Sequence, residues 1–88
     1  MIEQTVQVIN RAGVHARPAS LIVAAINRMK SQVFLKVDEN QINAKSILGV
    51  ITLAAAYGTK IKIIADGEDE KEAVAAIVRL FETKFEEE

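Results

Sequence analysis

The one histidine of the chain lies in Gly13-Val14-His15-Ala16-Arg17-Pro18-Ala19-Ser20, directly ahead of an apolar run with helical spacing. An imidazole nitrogen is a competent nucleophile near neutral pH. A helix start offers unpaired backbone N–H groups at the positive end of the helix dipole, where anions, phosphate above all, are stabilised. Gly13 lets the preceding backbone take a positive φ or approach a neighbour closely. No Ser, Thr, Asp or Asn stands just before Ala16 to occupy the first amides in the usual way. Arg17 brings a planar donor fork suited to phosphate oxygens; as a merely solvated charge it would face the unfavourable end of the dipole. An isolated histidine is more often a surface or capping residue. Here its neighbours together point to a histidine that holds or transfers a phosphoryl group.

A second candidate is Ser46, just before the short apolar stretch from Ile47 to about Leu53. Serine there is a preferred N-cap, worth about 1 kcal/mol. It is also a position where a phosphate would meet a helix start, with Lys45 alongside to neutralise part of its charge. From the residues alone the cap reading is the stronger. In the same stretch Val50 and Leu53 face inward, leaving Ile47, Leu48 and Ile51 on other faces. Either that helix is buried all round, or these three form an apolar docking patch.

The elements that must position these residues follow from periodicity. Ile2, Val6 and Val8 alternate as a first strand, and residues 10–13 form a loop with turn formers, Asn10 and Gly13, at its ends. Ala19, Ile22, Ile26 and Met29 predict a helix over 16–29, with Pro18 in its first turn. Val33, Leu35 and Val37 form a second strand. A turn follows at Asp38-Glu39-Asn40, with Asn40 the residue best able to adopt a left-handed conformation. Ile42 and Ala44 form a short third strand. After the short second helix, Gly58 serves as an exit or turn. Ile61, Ile63 and Ala65 make a fourth strand, closed by Asp66-Gly67. Asp69 and Glu72 have the spacing of a capping box at the start of the last helix, whose stripe is Val74, Ile77, Val78, Phe81 and Phe85. The order βαββαβα predicts an α+β open-faced sandwich, a four-stranded antiparallel sheet covered on one face by three helices.

Composition narrows the function classes. Eighty-eight residues, half of them apolar, suit a single domain over 1–88. The chain has no cysteine and one histidine, which argues against disulfides, thiol chemistry and a Cys- or His-based metal centre, and no cofactor is expected. The N-terminus alternates and does not read as a signal peptide, and no stretch approaches the roughly 20 apolar residues of a membrane span. A cytoplasmic protein without membrane insertion is expected. The net charge of −1 divides into +5 over residues 1–65 and −6 over 66–88. The basic part holds His15, which suits an anionic group or acidic partner; the acidic part, ending Glu86-Glu87-Glu88, reads as a solvated face and tail. A nucleic-acid module would need sheet-face aromatics and a basic balance, whereas Phe34 and Tyr57 are isolated. A hydrolase would need a nucleophile and an orienting group around His15, and no motif places them.

The two candidate motifs together resemble a known family. Gly13-Val14-His15-Ala16-Arg17-Pro18-Ala19 is similar to the active-site motif of HPr, the histidine-containing phosphocarrier of the bacterial phosphoenolpyruvate-dependent sugar phosphotransferase system. Lys45-Ser46-Ile47-Leu48-Gly49-Val50 is similar to its regulatory-serine motif, typical of Gram-positive members. The motifs have the expected separation, and the resemblance spans essentially the whole chain. It implies a phosphoryl carrier and not an enzyme. His15 would accept phosphate on Nδ1 from phosphorylated enzyme I and pass it to enzyme IIA domains. Arg17 would neutralise its charge, and the amides of Ala16 and Arg17 would cradle it. Ser46 would be the target of HPr kinase/phosphorylase, and the seryl-phosphorylated form would bind a catabolite-control transcription regulator, with no direct contact to nucleic acid. Ile47, Leu48 and Ile51 would dock partners on a monomer. Leu48 and Ile51 stand where methionines are common, keeping apolar area but losing adaptability. The turn at Glu39-Asn40 lacks the usual glycine. The alternative within the family is a purely regulatory protein acting through Ser46 and the apolar patch; such a paralogue lacks the histidine that this chain has.

Overall fold

The computed structural model describes residues 1–86, so Glu87 and Glu88 of the acidic tail lie outside the described residues. The elements run β1 (Ile2–Gln7), α1 (Ala16–Ile26), β2 (Gln32–Val37), β3 (Asn40–Asn43), α2 (Ile47–Thr52), β4 (Lys60–Asp66) and α3 (Glu70–Glu82). One sheet has the order β1-β4-β2-β3, antiparallel at every pairing. The fold is the expected open-faced sandwich.

Alternation along the strands decides which face is covered. Val33 and Leu35 of β2 and Ile61, Ile63 and Ala65 of β4 are buried against the helices, while Lys60, Lys62 and Asp66 face solvent. Ala19, Ile22 and Ile26 from α1, Val50 from α2, and Ala73, Val74, Ile77 and Phe81 from α3 complete the core. Burying each Ile or Leu contributes about 1.5–3 kcal/mol, so the two inward stripes of β2 and β4 fix the register of the sheet's centre.

Four local expectations are corrected. First, α1 stops at Ile26, short of Met29: the Met29 amide closes a turn on the Ile26 carbonyl, and the Met29 carbonyl accepts from Lys45 Nζ at 2.6 Å. Second, the left-handed residue of the β2–β3 turn is Asp38, φ 53°, and not Asn40. Val37 pairs with Asn40, which leaves only two residues to reverse the chain. Third, Phe85 does not extend the α3 stripe. The helix ends at Glu82, and a left-handed turn over 84–86 returns Phe85 to the core, edge-on to Phe81 at 4.8 Å.

The fourth correction concerns the capping box. Asp69 occupies the N-cap of α3 but makes no side-chain cap bond there. Its carboxylate accepts from the amides of Lys30 and Ser31, both at 2.9 Å, and from the Ser31 hydroxyl. Glu70, not Glu72, reaches back to accept from the Gly67 amide at 3.1 Å. Asp69 thus clasps the α1–β2 connection to the start of α3. The Ser31 hydroxyl, then the Lys30 amide, hold its carboxyl down at about 2, from an ordinary 3.8. A depressed folded-state pKa means the clasp contributes fully above the unfolded value and is lost as pH falls through the folded one. We expect the melting-temperature gap between wild type and Asp69→Ala to stay constant from neutral pH down to about 5 and to narrow towards pH ~2. A gap unchanged at the acid end contradicts the clasp.

Candidate functional site

His15 is the N-cap residue of α1, with extended backbone (φ −97°, ψ −162°) and no side-chain cap bond. Its carbonyl accepts from Ala19 at 3.0 Å, and Pro18 has no N–H. That leaves the amides of Ala16 and Arg17 without an acceptor inside the helix. The first turn of α1 carries no acidic residue, whereas that of α3 carries Glu70 and Glu72. The positive end of α1 is therefore not offset by a carboxylate of its own first turn. His15, Ala16 and Arg17 are all exposed. Three consecutive exposed residues thus carry an imidazole, two backbone donors without a helical acceptor and a guanidinium, a set of groups able to receive a dianion.

The backbone leading to His15 is held from two directions. Gly13 has φ +74°, and a Cβ there would lie 2.6 Å from the Ala55 carbonyl oxygen. The Val14 amide donates to that carbonyl at 2.8 Å, and the Gly13 amide donates to the Asn10 carbonyl at 3.1 Å. Asn10 is fully buried, and its Nδ2 donates to the Gly13 carbonyl at 2.8 Å. The expectation for Gly13 holds in both its forms, positive φ and close approach. Asn10 and Ala55 were not legible as site residues; the only signal was an Asn three residues before the Gly. Ala55 follows Ala54, which takes φ 52° after α2, a left-handed position usually given to Gly or Asn.

Ser46 caps α2: its Oγ accepts from the Gly49 amide at 3.0 Å. Lys45 is not turned to the serine, because its amine donates to the Met29 carbonyl. Around α2, Val50 is buried while Ile47, Leu48 and Ile51 are 41%, 75% and 36% exposed. The short helix is not buried all round; it presents an apolar patch. α2 packs on α1, and the chain leaving α2 touches the Gly13 loop, so patch and histidine belong to neighbouring elements. Tyr57, in the same connection, is also exposed. No helix among the described residues is long and apolar enough to cross a membrane.

The family model described as "PTS HPr component phosphorylation site" matches residues 2–83. The chain belongs to the HPr family. It is 52% identical to "Phosphocarrier protein HPr" of Treponema pallidum (strain Nichols) over 100% of both chains. It is 49% identical to "HPr-like protein Crh" of Bacillus subtilis (strain 168), over 84% of this chain and 87% of that protein. A crystal structure of HPr from Thermoanaerobacter tengcongensis superposes with a TM-score of 0.95 at 43% identity, covering 100% of this chain and 99% of that one. HPr proteins are phosphocarriers of the phosphotransferase system, which works through partners such as enzyme I and IIA domains; they carry a phosphoryl group and are not catalysts.

The loop geometry predicts unequal glycine substitutions. Gly58 has φ +89° with nothing within 4 Å of a new Cβ, so Gly58→Ala should cost only the conformational term, about 1 kcal/mol. Gly13→Ala adds a backbone clash and should cost at least about 2 kcal/mol. Urea unfolding of the two variants checks the order; equal costs contradict the tight packing of Gly13 on Ala55.

Proposed function

We propose that His15 accepts a phosphoryl group on Nδ1 from phosphorylated enzyme I and passes it to a histidine of an enzyme IIA domain, feeding sugar uptake. The observation that carries this reading is the helix start: an exposed imidazole followed at once by two amides with no helical acceptor and by Arg17. The lone pair of Nδ1 attacks phosphorus in line as the P–N bond to the donor histidine breaks; the transfer onward repeats the step with the roles exchanged. Such transfer needs positioning and charge stabilisation more than acid–base chemistry. The Ala16 and Arg17 amides cradle the phosphoryl oxygens, and the Arg17 guanidinium offsets their charge.

Ser46 is the regulatory position in this proposal, phosphorylated from ATP by HPr kinase/phosphorylase. Its phosphate places negative charge beside Ile47, Leu48 and Ile51, the surface on which enzyme I docks, and slows charging of His15. The same form binds a catabolite-control transcription regulator. A purely regulatory role would give Ser46 and the patch a use but leave Arg17 and the uncapped helix start without one.

Two labelling experiments test the proposal. Phosphoenolpyruvate with enzyme I should label the protein in an acid-labile, base-stable form that His15→Ala abolishes; a label retained in His15→Ala overturns the carrier reading. ATP with the kinase should give a separate acid-stable label that is absent from Ser46→Ala. If Ser46→Ala still takes that label, the serine is a cap alone.

A further inference from the structure

We propose that Asn10 is a positioning residue for phosphoryl acceptance, its buried side-chain amide fixing the peptide that leads into the helix start. This rests on the reading of His15 as acceptor.

The peptide unit between Gly13 and Val14 is held at both ends. Its carbonyl accepts from Asn10 Nδ2 at 2.8 Å, and its N–H donates to the Ala55 carbonyl at 2.8 Å. The Gly13 amide closes the loop by donating back to the Asn10 carbonyl at 3.1 Å. Val14 is itself 5% exposed, so its side chain anchors the same point in the core. Between a fixed peptide plane and the imidazole there remain only the two backbone torsions of Val14, whose side chain is itself held, and the torsions of His15. An unpositioned loop would let the imidazole sweep a wide arc.

Packing alone does not account for Asn10. Its side chain is fully buried, and an amide loses hydration there unless it is hydrogen-bonded. A small apolar residue would fill the space without that cost, but would leave the buried Gly13 carbonyl without this donor. Transfer between two histidines requires the reacting atoms within roughly 3–3.5 Å and in line, so a small displacement costs rate steeply. A side-chain clamp one turn of loop ahead of the nucleophile supplies that placement without touching the phosphoryl group.

The test is steady-state charging by phosphoenolpyruvate and enzyme I of wild type, Asn10→Asp and Asn10→Ala, with folding checked by two-dimensional NMR. An ionised carboxylate keeps the shape but cannot donate; because burial raises its pKa, the comparison is made at alkaline pH, where it is ionised. We expect the rate at saturating enzyme I to fall at least tenfold in both variants, with KM for enzyme I within about twofold, because Ile47, Leu48 and Ile51 are untouched. On acidification the carboxyl of Asn10→Asp regains a donor proton, so its rate relative to wild type should recover while that of Asn10→Ala does not. A loss through general destabilisation would follow the folded fraction in both. Folded variants charging at the wild-type rate, or losing only KM, overturn the proposal. If neither variant folds, the wild type still decides: the Asn10 side-chain amide protons should exchange slowly and stay protected once His15 is charged, and rapid exchange overturns the clamp. His15→Ala in the same assay separates the two readings. A label that survives there refutes the acceptor role, while amide exchange still reports on the clamp.

Discussion

The Val14 amide and the Ala55 carbonyl, 2.8 Å apart, tie the loop after β1 to the loop after α2, and the site is arranged around that bond. It forces the chain so close to Ala55 that position 13 has no room for a Cβ. It holds the last peptide before His15, so that α1 begins from a fixed point with its first two amides unfilled. The sheet makes this possible: β1 and β4 are paired along their lengths, and Val8 and Gly58–Thr59 continue the pairing into the loops that carry these groups. In the proposed transfer, a dianion arriving at His15 would meet donors already in place, with no loop to order at that moment.

In the proposed function the same tie would connect carrying to docking. The chain leaving α2 supplies the carbonyl that fixes the histidine loop, and α2 presents Ile47, Leu48 and Ile51 outward. Three exposed aliphatic side chains on a six-residue helix are a modest surface, which suits partners that must leave again. Ser46 begins that helix through its bond to Gly49. Under the proposed regulation, phosphorylation of this capping hydroxyl would reach the exposed aliphatic side chains without rebuilding the fold.

The strands, the helix order and the uncapped start of α1 were legible because each repeats a local rule: period two, period 3.6, and a glycine ahead of a helix with no capping side chain. What escaped the sequence depends on contacts between distant segments. Asp69 fits a capping pattern, yet its oxygens go to Lys30 and Ser31, nearly forty positions away. Phe85 continues the helical period in the sequence, but the helix has already ended and a left-handed turn brings the ring home. Lys45 stands next to Ser46 in sequence and points to Met29. Asn10 reads as a turn former, because turn propensity says nothing about whether the side chain points out to water or in towards Gly13.

The central claim is that this helix start is built to receive a phosphoryl group on one nitrogen of one side chain. Phosphorus NMR of protein carrying 15N-labelled histidine, recorded after charging with phosphoenolpyruvate and enzyme I, tests it most directly. The account predicts a single phosphoramidate signal with one-bond coupling to Nδ1 of His15. Coupling to Nε2, or a phosphorus signal with no coupling to the imidazole, would contradict it.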